Sequence, residues 1–154
     1  MLSVVFIDTN ILCNLIPVPG RNQNEREVRE EMVARLKSKQ QFILPITAVI
    51  ETGNFIAQLS NGRERLQTAA KLEEILRFIC AGKAPWVLHD VAWNQTFLEH
   101  FLDGAGTGMT YTQHAQNKVG GGDLCILTER QQYQARTRIT PEVWTLDGGL
   151  SAHS

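Results

Sequence analysis

Residues 3–7, SVVFI, form a short apolar run rich in β-branched side chains, and Asp8-Thr9-Asn10 follows at once. A half-exposed strand alternates polar and apolar residues; an unbroken apolar run of this length reads as a strand buried on both faces. Asp, Thr and Asn cap helices or make turns. The apolar stretch 11–16 then suits a short helix, stopped by Pro17, Pro19 and Gly20. A buried strand leading straight into a capped helix is the opening unit of a parallel sheet with helices against it.

The rest of the chain repeats that alternation. Val28, Met32 and Leu36 predict a helix over 24–39, with Glu25–Arg29 and Glu31–Arg35 as favourable pairs one turn apart. Residues 41–44 read as a strand. After Pro45 a helix follows, with Ile46, Val49, Ile50, Gly53 and Ile56 on one side and Thr47, Glu51, Asn54 and Gln58 opposite. Ser60-Asn61-Gly62 breaks the chain. A helix then runs to about Cys80 on the stripe Leu66, Ala69, Leu72, Leu76 and Ile79. A strand, WVLH, follows Pro85, and residues 92–102 read as a helix with Trp93, Phe97 and Phe101 as a core stripe. Residues 103–122 read as a loop holding six of the twelve glycines; a loop that long is usually functional. A helix over 123–135 and a strand over 143–146 complete the chain, before Asp147 and a Gly-Gly turn. Regular alternation predicts a mostly parallel sheet covered on both faces, with ligands beyond the carboxyl ends of its strands.

The 154 residues fit a single domain, residues 1–154, able to bury about 70% of its unfolded surface without disulfide or structural metal. Fifteen bases against sixteen acids exclude a polybasic binder acting by bulk charge. Cys13, Cys80 and Cys125 are far apart and odd in number, which reads as buried thiols in a reducing compartment. No apolar run approaches a membrane span, and the first residues lack the basic region of a signal peptide, so the expected location is the cytoplasm.

Four acids stand where strands end and helices begin. Asp8 follows the first strand and Asp147 the last. Asp123 opens a helix after three glycines, and Glu51 lies on the polar side of the helix after strand two. Each alone has a plain role: helix cap, solvated face, N-cap, turn. Together, at one sheet edge, they would repel one another by several kcal/mol per close pair, roughly, and so call for a cation. With no His or Cys at ligand spacing, an all-oxygen set favours Mg²⁺ or Mn²⁺ over Zn²⁺. Such ions typically meet phosphate oxygens, which points to metal-assisted phosphodiester hydrolysis.

FIDTNIL around Asp8, TAVIE around Glu51, GGGDLCIL around Asp123 and TLD around Asp147 together resemble the PIN-domain family of metal-dependent ribonucleases, over residues 3 to about 150. The resemblance implies a three-layer α/β/α sandwich with a central, mostly parallel sheet of four to five strands. It implies Asp8, Glu51, Asp123 and Asp147 as catalytic metal ligands, with Thr9, Asn10 and Thr145 supporting them. It also implies Mg²⁺ or Mn²⁺ as cofactor and RNA as substrate. In the VapC-type toxins of the family a cognate antitoxin is the partner, and a second copy of the chain is a further expected one.

Arg21, Arg26 and Arg29 group at the start of the second helix. Arg130, Arg136 and Arg138 form an acid-free stretch. They are candidates for holding RNA phosphates. Glu129 lies six residues, about 240° of helix, beyond Asp123 and reads as surface. The glycine segment lacks a phosphate-cradling motif, and no histidine is assigned to catalysis. Two other functions fit acids at strand ends: a phosphoacceptor signalling domain, and a catalytically idle PIN fold that only binds. The first wants a second acid beside Asp8, and the sequence has none; a D-x-D phosphatase is disfavoured because residue 10 is Asn. Setting the four site acids aside leaves twelve acids against fifteen bases, a balance compatible with an RNA substrate.

Overall fold

The computed structural model describes residues 3–153. Val4–Ile7 forms β1, Gln41–Ile43 β2 and Glu142–Trp144 β3; β1 lies in the middle, parallel to both neighbours. All four β1 side chains are buried, as its unbroken apolar run requires. Strand alternation splits them between two cores. Val5 and Ile7 pack with Ile11, Leu12, Ala48 and Leu72, whereas Val4 and Phe6 pack with Ile126, Leu127, Tyr133 and Leu150. The first core draws on α1 (Thr9–Leu15), α2 (Glu25–Lys37), α3 (Ile46–Ala57) and α4 (Gly62–Cys80); the second draws on α7 (Gly121–Thr137) and α8 (Gly148–Ser151). Between them in sequence lie α5 (Gln95–Leu102) and α6 (Tyr111–Gln116).

The expected three-layer sandwich around four to five strands is corrected. Helices take 57% of the described residues, and the sheet has three strands. The reason lies in the lengths of β2 and β3, three residues each. WVLH makes only a single bridge, Trp86 to Phe42, with the Val87 N–H donating to the Phe42 carbonyl at 2.9 Å. A ladder cannot outrun the strand it pairs with, and β2 ends two residues before Pro45, which caps α3. Leu88, in that segment, points into solvent.

Several helix faces also differ from their wheels. On α3 the buried residues are Ala48, Thr52 and Ile56, while Ile46 and Ile50 are exposed. On α4 Leu72 and Ile79 are buried and Leu66 is exposed. Phe97 is buried on α5, but Trp93 precedes that helix and is exposed, its ring 5.1 Å from that of Phe97. The segment 103–122 is not a plain loop. It contains α6, which Thr110 and Gln113 start with a reciprocal capping box. Fully buried His114 ties α6 back through its Nε2, 2.7 Å from Thr107 Oγ1. Gly104 makes the turn possible: its φ is +84°, and a Cβ there would overlap the Met109 carbonyl oxygen. The Gly-Gly turn after Asp147 is the first turn of α8. All three cysteines are free, and Cys80 is exposed, not buried. Among the described residues no helix is long and apolar enough to cross a membrane.

Candidate functional site

Because all three strands run the same way, their carboxyl ends share one edge. Ile7 pairs with Trp144, so the next residues, Asp8 and Thr145, leave the sheet side by side. The Asp8 N–H donates to the Trp144 carbonyl at 3.0 Å, the last rung of the ladder. Asp8 is 4% exposed. Its Oδ1 accepts from the Thr9 N–H at 2.7 Å, capping α1, and its Oδ2 accepts from the Thr145 hydroxyl at 2.6 Å. Thr145 Oγ1 in turn accepts from Asn10 Nδ2 at 3.3 Å and from the Asp147 N–H at 2.9 Å. The hydroxyl proton is thus committed to Asp8, which fixes the carboxylate's orientation. Asn10 Oδ1 closes the loop by accepting from the Leu146 N–H at 3.1 Å.

Glu51 reaches the same edge from the second turn of α3. Thr9 Oγ1 donates to its Oε1 at 2.9 Å. Asp147 Oδ1 accepts from the Gly149 and Leu150 N–H groups at the start of α8. Asp123 lies in the first turn of α7. Just before it, Gly122 lets α7 come close to α3: a Cβ there would stand 3.1 Å from Glu51 Oε1 and 3.3 Å from the Thr47 methyl.

The four acids line one open cavity of about 430 Å³, together with Thr9, Asn10, Asn14 and Arg21. Their charges act on each other. Burial, then the charges of Asp8, Asp147 and Glu51, push the Asp123 carboxyl up to about 6, and Asp147 lies within hydrogen-bonding reach of it. Burial also raises the Asp8 carboxyl; the Thr145 and Thr9 hydrogen bonds oppose this, and Glu51 and Asp147 add to it. Among the described residues no Lys or Arg forms an ion pair with any of the four.

That unpaired charge is the test of a metal. Among the described residues no three His, Cys, Asp or Glu side chains are drawn tightly enough together to enclose a bare ion. Asp8, Glu51 and Asp147 are each fixed by hydrogen bonds to Thr145 and the Thr9 N–H, to the Thr9 hydroxyl and to the start of α8, respectively, whereas Asp123 reaches only Asp147. The donor set is all oxygen, the chemistry that suits Mg²⁺ or Mn²⁺ when the ion keeps several waters and takes only one or two carboxylates directly.

Thr9 and Thr145 bond the acids directly, and Asn10 reaches them only through Thr145 and the Leu146 N–H, whereas the arginines divide. Arg21 lines the cavity. Arg26 pairs with Glu30 at 3.2 Å on an exposed face. Arg130 donates to the His153 carbonyl at 3.0 Å. Arg136 contacts His89 Nδ1 at 3.1 Å, and Arg138 is the left-handed cap that ends α7. None of these four lines the cavity. Sequence reasoning missed Asn14 and Phe55. Asn14 donates to the Asn10 carbonyl at 2.8 Å and accepts from the Asn24 N–H at 2.9 Å, joining α1 to α2 beside the acids. Phe55 stands one turn after Glu51, a spacing that could have flagged it. The reading of Glu129 as surface is also corrected: it is 1% exposed. Leu124, Ile126, Leu127, Thr128 and Tyr133 are buried around it, so α7 is covered on more than one side and a wheel angle from Asp123 says nothing about solvent.

In comparisons with known proteins, no family model, curated relative or solved structure matches the chain. The functional reading therefore rests on the chemistry of the site.

Proposed function

We propose that this chain is a Mg²⁺- or Mn²⁺-dependent endoribonuclease of PIN type, hydrolysing RNA phosphodiester bonds. The supporting observation is the gathering of Asp8, Glu51, Asp123 and Asp147, from four separate segments, around one cavity with no cationic side chain among the described residues paired to them. Asp8, Glu51, Asp123 and Asp147 would hold the ion. When bound, it supplies charge neutralisation at the phosphate and a lowered pKa for water. The chain's own part is orientation: Thr145 and the Thr9 N–H fix both oxygens of Asp8, and the Thr9 hydroxyl fixes Glu51. In this reading the protein acts in the cytoplasm on RNA, as a VapC-like toxin silenced by an antitoxin, and a second copy of the chain is its other candidate partner.

The test is cleavage of a structured RNA by the purified protein with Mn²⁺ or Mg²⁺. Cleavage is expected to vanish in chelator and in Asp8→Asn; activity that survives both would overturn the proposal. Gly122→Ala offers an indirect check. The added methyl would press on Glu51 Oε1 and the Thr47 methyl, loosening the Thr9–Glu51 bond. A supporting contact of this kind is worth about 10–100-fold in metal affinity. Calorimetric titration with Mn²⁺ should show a loss at the lower end of that range, and unchanged affinity would remove Glu51 from the ligand set.

A further inference from the structure

A second groove adjoins the carboxylate cavity and shares its Gly20–Arg21 and Phe55 wall. It is about 380 Å³ and is lined by Pro19, Gly20, Arg21, Phe55, Gln58 and Leu59, with no acid among them. The Arg21 guanidinium carbon sits 3.4 Å from the centre of the Phe55 ring. Phe55 is itself packed against the core through its partly buried ring. Arg21 is exposed, and among the described residues no carboxylate pairs with it, although four line the neighbouring cavity. A free guanidinium beside four carboxylates would swing onto them; stacking on Phe55 holds this one away. What results is a cationic group carried on an aromatic ring, at the wall that the groove shares with the carboxylate cavity.

We infer that this groove is a nucleobase subsite, in which an unpaired base of the RNA strand stacks on the outer face of Arg21 with Gln58 at its edge. The inference rests on the ribonuclease reading above and extends it to how the strand is held. Stacking on guanidinium planes and aromatic rings is how single-stranded RNA is commonly gripped. The spacing agrees. Glu51 and Phe55 are one turn apart on α3, about 6 Å along its axis, and Gln58 is a further turn on. Stacked nucleotides advance about 3.4 Å, so the groove lies within about two nucleotides of the acids along a bound strand, and a base at that step can leave the stack to enter it. The groove's own lining holds no acid, so a base entering it meets Arg21 and Phe55 and not a carboxylate.

The test is binding of four labelled tetranucleotides (all-A, all-C, all-G and all-U RNA) at low salt in chelator, where no cleavage occurs. Carboxylate repulsion is then common to every variant and cancels in the comparison. Arg21→Ala should weaken binding about tenfold and lower the salt slope by about 1. Phe55→Leu keeps an apolar side chain in the core but removes the ring beneath Arg21, and should weaken binding several-fold. Gln58→Ala should narrow the spread among the four sequences. Tetranucleotides that fail to bind the wild type, or bind Arg21→Ala and Phe55→Leu equally well with the same salt slope, overturn the subsite. The two readings separate cleanly. Arg21-dependent binding by a protein that does not cut RNA with Mn²⁺ removes the nuclease and keeps the subsite. Cutting that is indifferent to Arg21 and Phe55 does the reverse.

Discussion

Asp123→Asn is expected to lower RNA cleavage about 10²–10³-fold, the loss typical of removing one preorganised hydrogen-bonding group at a reacting centre, and yet to make the metal-free protein more stable. Both effects follow from one arrangement. Asp8, Glu51 and Asp147 each raise the Asp123 carboxyl electrostatically, on top of its burial, and together bring it to about 6. An acid whose folded value lies above its unfolded one contributes stability that is complete below the unfolded value, here 3.8, and is lost as pH rises through 6. Asparagine carries no charge to repel, so its advantage grows over that window and is full above pH 7. Asp123 is partly exposed, so the gain is discounted for solvent screening to roughly 1–2 kcal/mol. For a chain of this size that is roughly 2–8 °C in Tm. Mn²⁺ should raise the Tm of the wild type more than that of the variant. A variant less stable than wild type in chelator at pH 8 would show that Asp123 is held by something other than repelling neighbours.

The gathering of these acids was legible because it depends on local order. A strand, an acid and a cap are adjacent in sequence at Asp8, and a second strand end carries Thr145 and Asp147. Once β1 and β3 are parallel and Ile7 faces Trp144, their meeting follows without further information. Glu51 needed one more step, its place on the helix after β2. The sheet's extent was not legible. Whether WVLH becomes a strand depends on how long β2 is, and β2 ends where Pro45 starts α3, a competition that apolar content does not reveal. The helix faces of α3 and α4 failed for a related reason: hydrophobicity ranks side chains, but packing chose Ala48 and Thr52 over Ile46 and Ile50. Small residues let α3 approach α1, and the larger ones turned outward. Arg35 shows the same limit. Its predicted partner Glu31 is met at 3.0 Å, but Glu142 on β3 is closer, at 2.8 Å, with a second bond at 3.1 Å, a contact 107 residues away in sequence.

Glu129→Gln should stabilise the protein strongly at alkaline pH and hardly at all at pH 4. Glu129 is 1% exposed on α7, and neither carboxyl oxygen has a hydrogen-bond partner of good geometry. Burial pushes its carboxyl from 4.5 up to about 7; the Ile46 N–H, in the first turn of α3, lies near enough to oppose that rise without making a full hydrogen bond. Pro45, the residue that precedes this turn, provides no side-chain cap, so the carboxyl of Glu129 stands where a capping group would. Cys125, one turn back on α7, feels the same charge: Glu129 adds to the upward push that burial gives its thiol. The sign is that of any acid raised on folding: the contribution is complete below about 4.5 and is lost as pH rises through 7. Across the whole interval the loss is about 3 kcal/mol, roughly 6–12 °C in Tm for a chain of this length. Glutamine keeps the shape and can still accept from the Ile46 N–H, but never ionises. Thermal unfolding of both proteins between pH 4 and 9 should therefore give curves that coincide in acid and separate through pH 5–8. Parallel curves, or a less stable variant at pH 8, would mean that the buried carboxylate is paid for by a partner that glutamine cannot replace, and that the first turn of α3 binds the charged form.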